Sequence, residues 1–318
     1  MGILTRAITK DASAVVSVID STDIANKIRE IHNTTPAMTA ALGCFSTMTS
    51  IMGYLLKNQN DSVTVRIEGS GPAGAMIATA EYTGNVRCYA VNAEADVPVK
   101  EDKTQDIEKT IGNNIKMTVM KYLGPSNSNA QSTTEYPTGE LSGLFEEYFT
   151  QSDQNPAKCH VDIILDEDGS VKAAGAYLIQ FLPFVDDEVK DKILNNSTVI
   201  KSVAEELLNG KIPDEIALAL LSGKTSAPEK KKEKKIKLPA VKVEEENETD
   251  ELDPNILDSG NVIYECTCSQ ERVKNALRSI GKAELQKMAD EDEITKVQCH
   301  FCNHIYTFTP DDVRALMD

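Results

Sequence analysis

The pattern of apolar and polar positions changes along the chain, and residues 1–185 combine strand and helix patterns. Apolar residues recur at every second position in residues 62–68, and residues 115–123 also have strand character, which predicts two β-strands. Residues 75–91 predict a hairpin that turns at residues 83–85. Residues 159–183 predict two more strands, joined by an acidic turn with a glycine.

Helical patterns interleave with these strands. They occur in residues 23–32, after Pro36 and in residues 139–149. The order shows no regular βαβ spacing, so we predict an α+β fold with an N-terminal mixed α/β core domain over residues 1–185.

Residues 37–56 contain no charged side chain and are long enough to be considered as a membrane span. The same stretch holds five Ser or Thr and two Gly, and Pro36 suits the first position of a helix. We therefore favour a buried core helix with small residues. The N-terminus has no apolar segment of the kind found in secretory signals, which leads us to expect a cytoplasmic protein.

From residue 186 to residue 223 the pattern predicts three short amphipathic helices. Each candidate has helix-starting and helix-ending residues, among them Pro213 at a start and Gly210 and Gly223 at ends. Helices of this length are not stable alone, so we expect this helical middle segment to pack on another surface.

Residues 224–258 carry eight Lys and ten Asp or Glu, basic first and acidic after. Low hydrophobicity and high charge predict a disordered linker. The whole chain has a formal net charge of −17, which disfavours general binding to nucleic acid or anionic lipid. The lysines within residues 230–237 keep an RNA-binding adaptor as an alternative.

Four of the seven cysteines lie in residues 259–318, which we interpret as a small C-terminal zinc-binding domain. They form two close pairs, Cys266 with Cys268 and Cys299 with Cys302, and structural zinc sites draw four ligands from such pairs. His300 and His304 offer an alternative ligand for a Cys₃His site. The simplest interpretation is a structural zinc site that holds a small domain together. Zinc-bound thiolates also react with oxidants, so disulfide formation and loss of the metal would give a redox switch.

The other motifs have structural interpretations. Cys44, Cys88 and Cys159 lie in apolar or strand contexts and are expected to be buried, unreactive thiols. Residues 69–74 fit the pattern G-x-G-x-x-G, but a hairpin pattern follows instead of a helix, so we expect a tight loop rather than a dinucleotide site.

Four stretches together resemble the 33 kDa chaperonin family, the redox-regulated holdase chaperones of the cytosol. They are REIHNTTPAMTAALG, IEGSGPAGAMIATAEYTGNVRCYAV, DGSVKAAGAYLIQFLP and the cysteine motif CTCSQER with CHFC. The resemblance implies that the four cysteines bind one Zn²⁺ in the reduced form and that oxidation releases it, with disulfides Cys266–Cys268 and Cys299–Cys302. It also implies that residues 186–223 are metastable. The charged linker 224–258 departs from the family because it is longer than usual, and we expect its length to weaken the coupling between these helices and the zinc domain.

The resemblance further implies an ATP-independent holdase that binds unfolding client proteins, dimerises when oxidised and passes clients to ATP-driven chaperones. No G-x₄-G-K-[ST] loop is present in the sequence, which agrees with a holdase and not with an ATP-dependent enzyme. One alternative is a zinc-stapled adaptor that binds RNA or ribosomes. Another is an enzyme, a thiol oxidoreductase using Cys299 and Cys302.

Overall fold

The computed structural model describes residues 1–124, 128–224, 252–291 and 293–317, which form an α+β fold. The strands are β1 Gly2–Thr9, β2 Ala14–Asp20, β3 Ser62–Glu68, β4 Met76–Glu81, β5 Val86–Ala90, β6 Ile115–Leu123, β7 Ser128–Tyr136, β8 Ala157–Leu165, β9 Val171–Phe181, β10 Pro254–Val262, β11 Thr295–Gln298 and β12 Ile305–Phe308. The helices are α1 Thr22–His32, α2 Pro36–Tyr54, α3 Ile107–Ile111, α4 Leu141–Gln151, α5 Asp187–Ser197, α6 Val203–Leu208, α7 Pro213–Ser222, α8 Gln270–Ser279, α9 Lys282–Glu291 and α10 Pro310–Arg314. The predicted fold class is confirmed.

Two five-stranded antiparallel sheets contain most of the strands. The first sheet has the order β10-β1-β2-β9-β8, and the second has the order β5-β4-β3-β6-β7. The predicted strands at residues 62–68 and 115–123 are β3 and β6, which pair with each other. The predicted hairpin is β4 with β5. Because β4 directly follows the loop at residues 69–75, the G-x-G-x-x-G match lacks the helix that a dinucleotide site needs.

Helix α2 is the uncharged segment predicted to be a core helix, and it lies between the two sheets. All its residues from Ala37 to Gly53 are buried, as expected for a helix that is apolar all round. Its polar side chains are satisfied: the hydroxyl of Thr49 donates to the carbonyl of Phe45, and that of Ser50 donates to the carbonyl of Gly84. Across the described residues, no helix has the length and apolarity to cross a membrane.

The first sheet is covered on both faces, so its strands contribute to two hydrophobic cores. The first core is the apolar cluster that α1, α2, α3 and α4 form with both sheets, and it includes Ala176 and Leu178 of β9. The alternate residues Tyr177, Ile179 and Phe181 lie in the second core, on the opposite face. An antiparallel sheet buried on both faces requires a second covering layer, and the three predicted short helices provide it.

The second core joins the first sheet to α5, α6 and α7. Its sheet residues are Ala7, Ala14, Val16, Val18, Tyr177, Ile179 and Phe181, and its helical residues include Ile193, Val203, Ile216, Leu220 and Leu221. The expectation that the three helices pack on another surface is therefore confirmed. No helix of the three exceeds 11 residues, so their stability depends on this contact.

Strand β10 corrects the predicted boundary between the linker and the C-terminal domain. Its residues pair with β1 along the whole strand, from Gly2 with Val262 to Thr9 with Pro254, and Arg6 forms an ion pair with Asp258 at 2.8 Å. Residues 254–258, expected in the linker over residues 224–258, and residues 259–262, expected in the C-terminal domain, therefore form one strand of the first sheet. The backbone ladder and this ion pair hold a polar sequence that lacks an obvious strand pattern.

The remainder of the charged linker, residues 225–251, lies outside the described residues, and so does the lysine run at residues 230–237. The rest of the division into domains stays a prediction.

Replacing Leu220 with Ala tests the contribution of the second core. Leu220 is a fully buried residue of α7, so Leu220→Ala should lower the free energy of unfolding of the reduced protein by about 2–5 kcal/mol. Leu208→Ala, at an exposed leucine of α6, is the matched control and should change it by about 0.5 kcal/mol or less. Urea unfolding followed by circular dichroism measures both, and equal effects would contradict the packing described here.

Candidate metal centre

Four cysteine side chains converge where two segments of the chain meet. Cys266 and Cys268 lie in the extended segment between β10 and α8, and Cys299 and Cys302 lie in the turn between β11 and β12. All four are partly buried, and their sulfur atoms lie within 4.8 Å of one another. The structure thus brings together all four sequence-predicted ligands.

A small hydrophobic core of its own supports this cluster. Its residues come from α8, α9, β12 and α10 and the residues around them, among them Leu277, Leu285, Phe308 and Val313. We call residues 266–291 and 293–317 the cysteine module. Its core has only six buried apolar residues among those described, which is a small contribution to stability.

The sulfur spacing suits a shared metal ion. Sγ of Cys266 lies 3.7 Å from Sγ of Cys299, and Sγ of Cys268 lies 3.4 Å from Sγ of Cys302. Sulfurs bound tetrahedrally at about 2.3 Å from one Zn²⁺ lie about 3.8 Å apart. A disulfide has a length of about 2.05 Å. The donor set and its spacing therefore fit a soft metal held by reduced thiols, and the cluster could hold such an ion.

The second cysteine pair sits in a turn closed by the backbone. The N–H of Cys299 donates to the carbonyl of His304 at 2.9 Å, and the N–H of Asn303 donates to the carbonyl of Cys299 at 2.8 Å. Asn303 has a φ of 59°, a left-handed conformation that asparagine tolerates better than most residues. This turn aims both sulfurs toward the first pair.

Both histidines considered as alternative ligands have other contacts. The ring of His300 stacks on Tyr89 with centroids 5.3 Å apart, and the ring of His304 packs edge-on against Tyr306 at 4.5 Å. Among the described residues, the group able to hold a metal consists of the four cysteines alone. The geometry therefore favours Cys₄ over Cys₃His.

Tyr306 also hydrogen-bonds the cluster. Its hydroxyl donates to Sγ of Cys268 at 3.0 Å. Partial burial acts to raise the pKa of the Cys268 thiol, but the hydrogen bonds from Tyr306 and from Cys302 lower that pKa overall. Because this hydrogen bond favours the protonated hydroxyl, it raises the pKa of Tyr306 to about 12. The site therefore stabilises a thiolate at Cys268.

Tyr264 fastens the cysteine module to the two-sheet part of the chain. Its hydroxyl lies within hydrogen-bond distance of the carbonyl oxygens of Cys88 and Phe301, and donates its one proton to one of them. It also lies 3.3 Å from Nε2 of His32, whose pKa burial lowers. Asn303 adds a hydrogen bond of 2.6 Å to the carbonyl of Ile31, at the end of α1.

Aromatic contacts extend this junction. Phe301, in the turn between Cys299 and Cys302, packs edge-on against Tyr89 at 5.0 Å, and the guanidinium of Arg87 lies 5.4 Å from its ring centroid. The sequence interpretation missed Tyr264, Phe301 and Arg87 as functional residues. Tyr264 and Phe301 have one signal in the sequence, which is their closeness to the cysteines. Arg87 has no such signal.

The three remaining cysteines are buried as predicted. Cys44, Cys88 and Cys159 are each exposed by 1% or less, and burial raises the pKa of all three thiols. Sγ of Cys159 donates to the carbonyl of Ser142, whereas the ring of His160 lies against Tyr177. The pair Cys159 and His160 therefore does not form a nucleophile with a base.

Replacing Tyr264 with Phe tests the junction. Tyr264→Phe removes the hydroxyl that pairs with the backbone of Cys88 and Phe301, and should lower the free energy of unfolding of the reduced protein by about 1–3 kcal/mol. Tyr89→Phe is the control, because it keeps the ring in the same junction and loses a hydroxyl with no hydrogen bond to the described residues. Denaturant titration compares them, and an unchanged Tyr264→Phe would refute this role.

Comparison with known proteins shows the family of this chain. The family model described as Hsp33 protein matches residues 3–309. The 33 kDa chaperonin of Bacillus subtilis is 31% identical over 318 residues, covering 100% of this chain and 99% of the relative. That of Clostridium perfringens is 31% identical over 316 residues, covering 99% and 91%.

A solved structure is also similar. The crystal structure of the 33 kDa chaperonin from Thermotoga maritima has a TM-score of 0.80 and 22% identity, covering 99% of this chain and 97% of that one, and it supports the fold. The match to the family model over nearly the whole chain, together with the converged cysteines, identifies the chain as a member of the Hsp33 family of heat-shock chaperones.

Proposed function

We propose that this protein is a cytoplasmic, ATP-independent holdase chaperone that oxidation of its four clustered cysteines activates. The observation that carries the proposal is the path from the sulfur cluster through β10 to the helices that cover the first sheet. Family membership supports the chaperone activity, and this path supports the regulation.

The reduced state would hold one Zn²⁺ through Cys266, Cys268, Cys299 and Cys302. When bound, the ion supplies positive charge that keeps four thiolates together at neutral pH and joins the two halves of the cysteine module. The hydrogen bond from Tyr306 shares the negative charge at Cys268. Since structural zinc contributes roughly 10–16 kcal/mol to small metal-binding domains, the module would depend on it for folding.

Oxidation by a peroxide would remove this set of ligands. A thiolate attacks the peroxide, taking one oxygen as a sulfenic acid and releasing hydroxide. A neighbouring thiolate then attacks that sulfur, forming the disulfide and releasing a second hydroxide. Two peroxides thus convert four thiolates into two disulfides. We propose the pairs Cys266–Cys268 and Cys299–Cys302, which join near neighbours in the sequence. All four sulfur atoms lie within 4.8 Å, so these partners are within reach, while the separations of 3.7 Å and 3.4 Å join Cys266 to Cys299 and Cys268 to Cys302.

Strand β10 would carry the change to the helices. Val262, its last residue, precedes Cys266 by only a short segment, so a module that unfolds pulls on the end of β10. Near that end, the carboxylate of Asp214 accepts hydrogen bonds from Thr5 at 2.6 Å and from Ser259 at 3.3 Å. Because Asp214 lies in the first turn of α7, separation of β10 from β1 would weaken the attachment of this helix.

Release of α5, α6 and α7 would uncover the face of the first sheet that lies in the second core. That face presents mainly apolar and aromatic side chains from β1, β2 and β9 to the helices, with Thr5 bonded to Asp214 at its border. A contiguous exposed apolar surface of this kind binds unfolded proteins without ATP. We therefore propose that residues 186–223 are the metastable element of the switch and that this face takes part in holding clients.

Partners follow from the same proposal. Unfolding proteins are the clients, an oxidised homodimer is the active form, and ATP-driven chaperones receive the clients. The proposal involves binding without catalytic turnover, so no residue has a catalytic role.

Light scattering of a heat-unfolding client tests the function. Citrate synthase is heated with this protein, either reduced and zinc-loaded or oxidised with peroxide. We expect the oxidised form to suppress aggregation at about equimolar ratio and the reduced form to have little effect, because the second core is then covered. Equal suppression would contradict the switch, and no suppression by either form would contradict the holdase.

Replacing Cys299 with Ser tests the metal site. Cys299→Ser removes one of four thiolate ligands and should lower the zinc content of the reduced protein from about one ion per chain to nearly zero. His304→Asn is the matched control in the same turn and should keep the metal, since its ring packs on Tyr306. Elemental analysis after gel filtration measures both. Metal retained by Cys299→Ser but lost by His304→Asn would indicate a Cys₃His site.

A further inference from the structure

Strand β5 forms one edge of the second sheet, and the edge strand of a sheet has backbone groups available for another strand. In this structure four such groups are covered, the N–H and C=O of Val86 and of Cys88. All four contact residues 263–265, the extended segment between β10 and Cys266.

At Val86 the contact has the pattern of a parallel ladder. The N–H of Val86 donates to the carbonyl of Ile263 at 3.0 Å, and the N–H of Glu265 donates to the carbonyl of Val86 at 2.9 Å. Val86 and Tyr264 accordingly form a parallel bridge. One residue of the edge bonds to the residues before and after its partner, as in a parallel pair of strands.

At Cys88 a side chain replaces the second step of the ladder. The hydroxyl of Tyr264 lies 3.0 Å from the carbonyl oxygen of Cys88 and 3.4 Å from its nitrogen. The backbone of the segment turns toward the sulfur cluster at Cys266 and does not continue along the edge. The hydroxyl accepts from the N–H of Cys88 and shares its one proton between the carbonyls of Cys88 and Phe301, so it covers the two backbone groups that a longer strand would satisfy.

The turn that contains Cys299 and Cys302 covers the side chains of the same strand. Phe301 packs on Tyr89 and on Arg87, and His300 stacks on Tyr89. The side chains of Val86 and Cys88, which alternate with those of Arg87 and Tyr89 along β5, are fully buried in the first core. The turn that contains Cys299 and Cys302 covers the outer face of β5, and residues 263–265 cover its edge. Unfolding of the cysteine module would therefore uncover both.

We propose that the edge of β5 is a binding site for an extended segment of a client protein, which adds to the second sheet as a parallel strand once the cysteine module unfolds. The inference rests on the oxidation switch of the proposed function. The occupant is an unfolded polypeptide because the chain's own extended segment binds there through its backbone. An aromatic side chain in the client would take the place of Phe301 against Tyr89 and Arg87.

Site-specific crosslinking in the full chain tests this site. Tyr89→p-benzoylphenylalanine places a photoreactive ring on β5, and Thr133→p-benzoylphenylalanine places it at an exposed position of β7, the opposite edge of the same sheet. With oxidised protein and unfolding citrate synthase, we expect a crosslink yield about tenfold higher at Tyr89 than at Thr133. With reduced, zinc-loaded protein we expect both yields to be low.

A peptide competition experiment, using the protein without a substitution in β5, tests whether the edge of β5 recognises the backbone of the bound segment. The peptide of residues 260–265 should displace a fluorescent client segment from the oxidised protein. Methylation of the Glu265 nitrogen removes the donor to Val86 and should weaken competition about fivefold, the effect of one lost backbone hydrogen bond. Methylation of the Tyr264 nitrogen is the control, since in the parallel ladder that N–H faces away from β5 and competition should persist.

The outcomes separate this inference from the proposed function, because aggregation is followed in the same samples. Suppressed aggregation with equal crosslinking at both edges, or equal effects of the two methylations, overturns the β5 site and leaves the holdase in place. Crosslinks from Tyr89 to a second copy of this chain instead of the client also overturn it, in favour of self-association. Unsuppressed aggregation overturns both.

Discussion

The pairing of β10 with β1 is the interaction on which the proposed regulation of this chain depends. It attaches the polypeptide that leads to the cysteine cluster to the edge of the first sheet, in a register held by the ladder and by Arg6 with Asp258. Between the end of this strand at Val262 and the first sulfur ligand at Cys266, the chain can extend by only about 13 Å. The cysteine module therefore has to lie against the second sheet, where Tyr264 and Asn303 fasten it.

The two cores differ in how they would respond when this attachment weakens. The first core surrounds α2 and draws on two sheets and four helices, so no single edge contact is essential to it. The second core is closed on one side mainly by α5, α6 and α7, which have 11, 6 and 10 residues. Helices of this length are marginal without tertiary contacts. Local opening should thus begin in the second core while the first core stays folded.

The sequence predicts those parts in which local pattern and tertiary structure agree. The alternation in residues 62–68 and the strand pattern of residues 115–123 correspond to β3 and β6, and the spacing of the four cysteines brings their sulfurs together. Strand β10 could not be predicted, because asparagine and aspartate at residues 255, 258 and 261 have low strand propensity and an ion pair with β1 compensates for it. Tyr264 could not be predicted either, since its role depends on backbone groups of Cys88 and Phe301 that are distant in the sequence.

The position of β10 also changes what the charged linker can do. We expected its length to weaken the coupling between the zinc domain and the helices, but its two described ends both belong to the first sheet and its covering layer. Lys224 follows α7, and Leu252 is buried in the second core. Both described ends of the linker therefore lie on the same folded part of the chain. In the proposed function the coupling runs instead through the ladder between β10 and β1 and through the hydrogen bonds of Asp214, all of which lie among the described residues.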